Sequence, residues 1–221
     1  MREQIHTIPV LDALKEPGAC PFCKIYGNLE RDSVDFLMGN AYMEEDIRDK
    51  TDEAGFCVNH LKKLNAVQNQ LGLALILQTH LSKLKKPPSS LFKSSAKRLY
   101  SKILAANERC FICEKIDKTF DRYLDTFFYL WKKDNALINT LTGFCLPHYA
   151  TMLQKAEQKL DKSQLEAFIS NVSLIQEKNI AKIEEDLDYF IQKFDYRNAD
   201  APWKDSKDAV ERTISLLKGV S

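Results

Sequence analysis

The sequence predicts an all-α protein, and three observations carry that prediction. Seven glycines and seven prolines in 221 residues are too few to punctuate an all-β chain. Apolar residues recur at spacings of three and four over long stretches. Ile116, Phe120, Tyr123, Leu124, Phe127 and Trp131 form one such series, and Ile180, Ile183, Leu187, Phe190, Ile191 and Phe194 form another. Finally, all six cysteines and two of the four histidines fall into two copies of one motif, with helical patterning after each part of it.

From the N-terminus, MREQIHTIPV has no apolar core of a secretion signal, which points to the cytoplasm and puts His6 on a loose terminus. CPFC at 20–23 opens an amphipathic helix of about five turns. GFCVNH at 55–60 opens a second helix, continued by Leu61, Leu64 and Val67. An apolar helix follows over 71–84, where His80 reads as a satisfied boundary histidine rather than a ligand. Its run LGLALIL is far short of the roughly 18 residues of a membrane span. Pro87 and Pro88 with the serines after them mark a linker at 87–96.

The pattern then repeats. CFIC at 110–113 opens a long helix, and GFCLPH at 143–148 opens another with Tyr149, Met152 and Leu153. Asp161 and Lys162 mark a turn before a helix over 163–194. The loop DYRNADAPWKDSKDA at 195–209 reads as a cap, with Trp203 packed on the helices and Asp205 or Ser206 starting the last helix. That helix carries Val210, Ile214 and Leu217 on one face. The expected organisation is one all-α unit over 1–221, built from a first repeat at 8–86, the linker, a second repeat at 97–194 and a C-terminal loop and helix at 195–221.

The motif chemistry is that of a metal site. Two residues between cysteines let a turn aim both thiolates at one point, and Cys and His at i and i+3 share a helix face. The second and third cysteines are separated by 33 residues in one copy and 31 in the other. Each copy thus offers three cysteines and one histidine, the number a tetrahedral zinc requires. The predicted ligands are Cys20, Cys23, Cys57 and His60, with Cys110, Cys113, Cys145 and His148, for two zinc ions per chain. Spacing does not decide whether the repeats exchange ligands; keeping each site within one repeat is the simpler expectation. In each GFC, glycine permits a tight turn and phenylalanine can cover the site. Thioredoxin-like redox chemistry finds no βαβ pattern here, and iron–sulfur clusters usually take four cysteines.

Together CPFC, GFCVNH, CFIC, LWKK at 130–133, GFCLPH and FDYRNADAPW at 194–203 resemble an uncharacterised family of bacterial and archaeal cytoplasmic proteins, a domain of unknown function with duplicated CxxC and GFCxxH motifs and a C-terminal FDYRN-type segment. All eight Cys and His positions of that pattern are present. The resemblance covers nearly the whole chain and implies a helical protein, with no activity attached.

Four protein ligands close the zinc shell and leave no position for an activated water, and neither motif carries an HExxH-like glutamate, so structural zinc and no catalytic residue are expected. The predicted role is an interaction module with a protein or peptide partner. The alternatives are an enzyme using Asp195, Arg197 or Asp200 of the 195–203 loop, or a thiol- and zinc-based redox sensor. The net charge of +1 gives no global field toward nucleic acid or an anionic membrane, so neither is expected as a partner. The basic stretch of Lys83, Lys85, Lys86, Lys93, Lys97 and Arg98 reads as a solvated linker.

Overall fold

The computed structural model describes residues 3–16, 18, 20–85, 96–139, 141–198 and 200–219. Among them all regular structure is helical, as the sequence predicts. The expected linker at 87–96 lies outside the described residues except for Ala96, as do Lys86 and Lys93 of the basic stretch.

The helices are α1 (Glu3–Lys15), α2 (Pro21–Met38), α3 (Glu45–Ala54), α4 (Val58–Ala66), α5 (Gln70–Lys85), α6 (Ala96–Glu108), α7 (Phe111–Lys133), α8 (Leu146–Lys159), α9 (Lys162–Gln192) and α10 (Ala209–Lys218). Short 3-10 turns at Ala41–Met43, Asn135–Ile138, Tyr196–Asn198 and Lys204–Ser206 connect them. His6 does not lie on a loose segment but in α1, which buries Val10, Ala13 and Leu14 at helical spacing and sets His6 edge-on to Tyr123 at 5.5 Å.

The chain divides into two compact units. The first comprises 1–27 and 120–221, the second 28–119, so α2 and α7 each contribute to both. Aromatic rings fill the core of the first unit. Phe168 meets Trp131, Phe128 and Phe127 at 5.1, 5.2 and 6.3 Å, and Phe22 meets Phe127 at 5.4 Å. Edge-to-face packing of this kind adds about 0.5–1.5 kcal/mol per pair beyond area burial. Aliphatic side chains dominate the second core, with Leu37, Leu64, Ile76 and Ile112 fully buried.

The turn expected at Asp161 and Lys162 is the start of α9. Asp161 accepts from the Gln164 backbone, and the Gln164 side chain accepts from the Asp161 backbone, a complete capping box. The predicted inward face of the second half of α9 is shifted, however. Ile180, Ile191 and Phe194 are exposed, while Phe168, Val172, Gln176, Ile183 and Asp186 face inward. Two of these inward residues are polar, so an apolar count could not locate the face. In α10, likewise, Val210, Ile214 and Leu217 are exposed and Ala209 and Leu216 are buried. On the same helix Arg212 donates to Asp186 of α9 at 3.0 Å.

A candidate metal centre in each unit

The eight predicted ligands converge into two groups of four, but not in the simpler pairing. Cys20, Cys23, Cys145 and His148 form one centre, and Cys57, His60, Cys110 and Cys113 form the other. The expectation that each repeat supplies its own site is therefore corrected: the repeats exchange their CxxH halves. Each centre lies wholly within one compact unit, the first in 1–27 with 120–221 and the second in 28–119.

Helix starts build both centres. In each CxxC the first cysteine immediately precedes a helix, at Cys20 before α2 and Cys110 before α7, and the second lies in the first turn. Pro21 suits the first position of α2, where no backbone donor is needed. In each CxxH the cysteine is the N-cap, Cys57 for α4 and Cys145 for α8, with the histidine three residues on. Four sulfur or nitrogen ligands thus gather where two helix N-termini, each carrying partial positive charge, stabilise thiolates.

The separations fit a tetrahedral site. Bonds of about 2.3 Å to sulfur and about 2.0 Å to nitrogen place ligand atoms roughly 3.5–3.8 Å apart. In the first centre, His148 Nδ1 lies 3.6, 3.3 and 3.2 Å from the sulfurs of Cys20, Cys23 and Cys145, and Cys23 Sγ lies 3.4 Å from Cys145 Sγ. In the second, His60 Nδ1 lies 3.2, 3.2 and 3.3 Å from Cys57, Cys110 and Cys113, and Cys57 lies 4.0 Å from Cys113. Both histidines present Nδ1 to the sulfurs.

Such crowding sets the proton affinities of these groups against one another. Hydrogen bonds from Cys145 and Cys23 push the Cys20 thiol far down, and the same contacts push Cys145 far up. Burial opposes protonation of His148, but the Cys20 and Cys23 thiolates push it up to about 9. Burial and the neighbouring Cys110 raise Cys113, and burial lowers His60 against the pull of Glu30. Three thiolates and an imidazole this close are compatible around a cation, and sulfur with imidazole is a donor set for a soft or borderline metal.

The repeated glycines make the turns the sequence suggests, and the phenylalanines beside them pack on other aromatic rings. Gly55 turns at φ 62° into α4, and its carbonyl accepts from the Phe111 backbone, joining the two motif halves of the second centre. Gly143 adopts φ 154°, and a Cβ there would meet the Asn179 side chain at 2.3 Å. Phe144 is buried and stacked on Phe22, with its backbone N–H and C=O both bonded by the Gln176 side chain. Phe56 is half-buried, edge-on to Phe111.

Sequence reasoning missed two neighbours of the centres. Glu30, three turns into α2, accepts from His60 Nε2 at 3.1 Å and is itself held by Lys63. Nothing in its spacing from either motif marks it. Around His148 the surroundings are aromatic instead, with Phe120, Phe22 and Tyr26 at 5.3, 6.2 and 6.3 Å. Gly219, just past α10, sits so close that a Cβ would lie 3.3 Å from Cys23 Sγ and 3.4 Å from Cys145 Sγ. Beside the same sulfurs is a cavity of about 420 Å³ edged by Asn179, Lys182 and Arg212.

With this geometry in view, comparison with known families finds that residues 1–221 match the family of unknown function DUF6062. The chain belongs to this family. No curated protein and no solved structure compared with it matches.

The other two histidines stay apart from the centres. His80 Nδ1 donates to the Asp52 carbonyl at 3.0 Å, a satisfied boundary residue as expected. The 195–203 loop has the capping arrangement: Trp203 packs on Phe190 and Phe194, Tyr189 donates to the Pro202 carbonyl, and buried Lys193 donates to the carbonyls of Asn198 and Ala201. Asp195 and Arg197 pair with each other, which holds the carboxylate below its usual range. The last helix starts later than expected, with Asp208 as N-cap, because Ser206 is buried and donates to the Trp203 carbonyl inside a 3-10 turn. Among the described residues no helix is long and apolar enough to cross a membrane.

Proposed function

We propose that each centre holds one zinc ion in a structural role, and that the protein is a zinc-stabilised helical interaction module whose partner is a protein or peptide. The observation that carries the zinc assignment is the two closed Cys₃His sets, each offering four donor atoms within 4.8 Å of one another. Cys20, Cys23, Cys145 and His148 would hold one ion, and Cys57, His60, Cys110 and Cys113 the other. When bound, zinc supplies no open coordination position for a reacting water in a four-ligand site; it ties two helix starts from distant parts of the chain together. That link contributes on the order of 10 kcal/mol to folding at neutral pH.

The module reading rests on the 195–203 loop. Asp195 and Arg197 are engaged with each other and Asn198 donates to the Gln192 carbonyl, which suits a cap more than an acid–base site. Elemental analysis of protein purified without added metal tests the first part: two zinc ions per chain are expected, and fewer than one, or mainly iron, would contradict it. Affinity capture from cell extract tests the second, with one reproducible protein partner expected. Turnover of a small molecule that depends on Asp195 or Arg197 would replace the module by an enzyme.

A further inference from the structure

The overall charge of +1 conceals a segregation. From Ala54 to Asn107 the sequence has no aspartate or glutamate, yet it carries Lys62, Lys63, Lys83, Lys85, Lys86, Lys93, Lys97, Arg98 and Lys102. The remainder of the chain holds 23 basic and 31 acidic residues, so the cations of this stretch are not a sample of the average.

Within the stretch, α6 reads AKRLYSKILAANE. At 3.6 residues per turn Tyr100, Ile103 and Leu104 fall on one face with Lys97 at its edge beside Leu104, and the sequence positions of Arg98 and Lys102 fall outside it. Such a face normally turns into a core. Here Tyr100, Ile103 and Leu104 are 51%, 53% and 55% exposed. At the end of α5 Leu81 and Leu84 are exposed as well, but Lys83 beside them is paired with Asp49 of α3, so the combination is specific to α6.

We propose that α6 binds an anionic lipid surface, lying in the interface with Tyr100, Ile103 and Leu104 in the acyl boundary and the basic residues among the headgroups. The two halves of the observation select the partner together. Protein partners fix register with charges of both signs, whereas a stretch with one sign only suits a uniformly anionic surface. Nucleic acid is also uniformly anionic, but its phosphates offer nothing to exposed leucine and isoleucine. A second copy of α6 would bring like charges together. An interfacial amphipathic helix requires both an apolar face and flanking cations, and both are present. This binding is peripheral and independent of the module's protein partner.

Flotation of the full-length, metal-loaded protein with vesicles is the test. Vesicles of phosphatidylcholine with about one third phosphatidylserine should carry the protein at low salt and release it at high salt, and pure phosphatidylcholine should not carry it. Each lysine near such a surface contributes about fivefold, so Lys97→Gln with Lys102→Gln should weaken binding about thirtyfold. Ile103→Ser with Leu104→Ser should weaken it at least about tenfold. Lys97, Ile103 and Leu104 are exposed, and circular dichroism and zinc content of the same samples check that the fold persists. Equal binding to neutral vesicles, retention by oligonucleotides without vesicle binding, or wild-type affinity in both double variants would overturn the proposal. A protein with two zinc ions and no affinity for either vesicle would overturn it while leaving the metal assignment intact.

Discussion

Glu30 illustrates what a single side chain contributes at these centres. By accepting from His60 Nε2 at 3.1 Å it fixes the tautomer in which Nδ1 is free to ligate, and its side chain is only 13% exposed. Glu30→Gln keeps the volume and removes the charge. It should weaken zinc at the second centre by about 10- to 100-fold in competition with a chromophoric chelator, with the first centre unchanged. Equal loss at both centres would show that Glu30 acts through the fold instead. Gly143 has the complementary role. Gly143→Ala places a Cβ against Asn179 in a backbone conformation side chains rarely adopt, and should cost about 1–3 kcal/mol in denaturant unfolding. Wild-type stability in that variant would mean that the turn before Cys145 relaxes freely.

Helices show what the sequence made legible and what it did not. The starts of α2, α4, α7 and α8 could be placed because each is marked by a cysteine motif, and α9 because Asp161 and Lys162 mark the turn before it. The inward faces of α9 and α10 were hidden because Gln176, Asp186 and Arg212 occupy positions that apolar patterning cannot see. Gln176 is buried because it satisfies the Phe144 backbone, and Asp186 because Lys182 and Arg212 meet it there. Helix α1 was hidden by its Pro9 and by the absence of a strong apolar period. Asp186 also makes the α9–α10 contact dependent on pH. Burial alone would raise its pKa, but Lys182 and Arg212 outweigh burial and hold it below the usual carboxylate value. Its contribution is therefore full above the unfolded value of about 3.9 and is lost as pH falls through the lower folded value. The thermal midpoint of Asp186→Asn should lie below that of wild type at neutral pH, and the gap should close in acid below about pH 4. A gap that persists unchanged to the lowest pH would contradict the role of the ion pair.

At the scale of the whole molecule, the sequence repeat and the spatial units are different objects. The eight Cys and His positions were legible because metal chemistry fixes their local spacing; their pairing was not, because spacing within a motif carries no information about which motif it meets. Exchange gives each unit ligands from both ends of a long stretch of chain, with Cys20 and His148 in one centre and Cys57 and Cys113 in the other. A fragment holding only 8–86 has both of its motifs and neither complete centre. It should remain largely unfolded with excess zinc by circular dichroism, whereas self-contained repeats would predict a folded fragment with one ion.

Zinc content of paired cysteine variants tests the exchanged pairing most directly. Cys20→Ser with Cys145→Ser damages one centre and should leave about one zinc per chain, while Cys20→Ser with Cys57→Ser damages both and should leave almost none. The opposite pattern, one ion retained in the Cys20 and Cys57 pair and none in the Cys20 and Cys145 pair, would place each site within its own repeat and contradict the exchange.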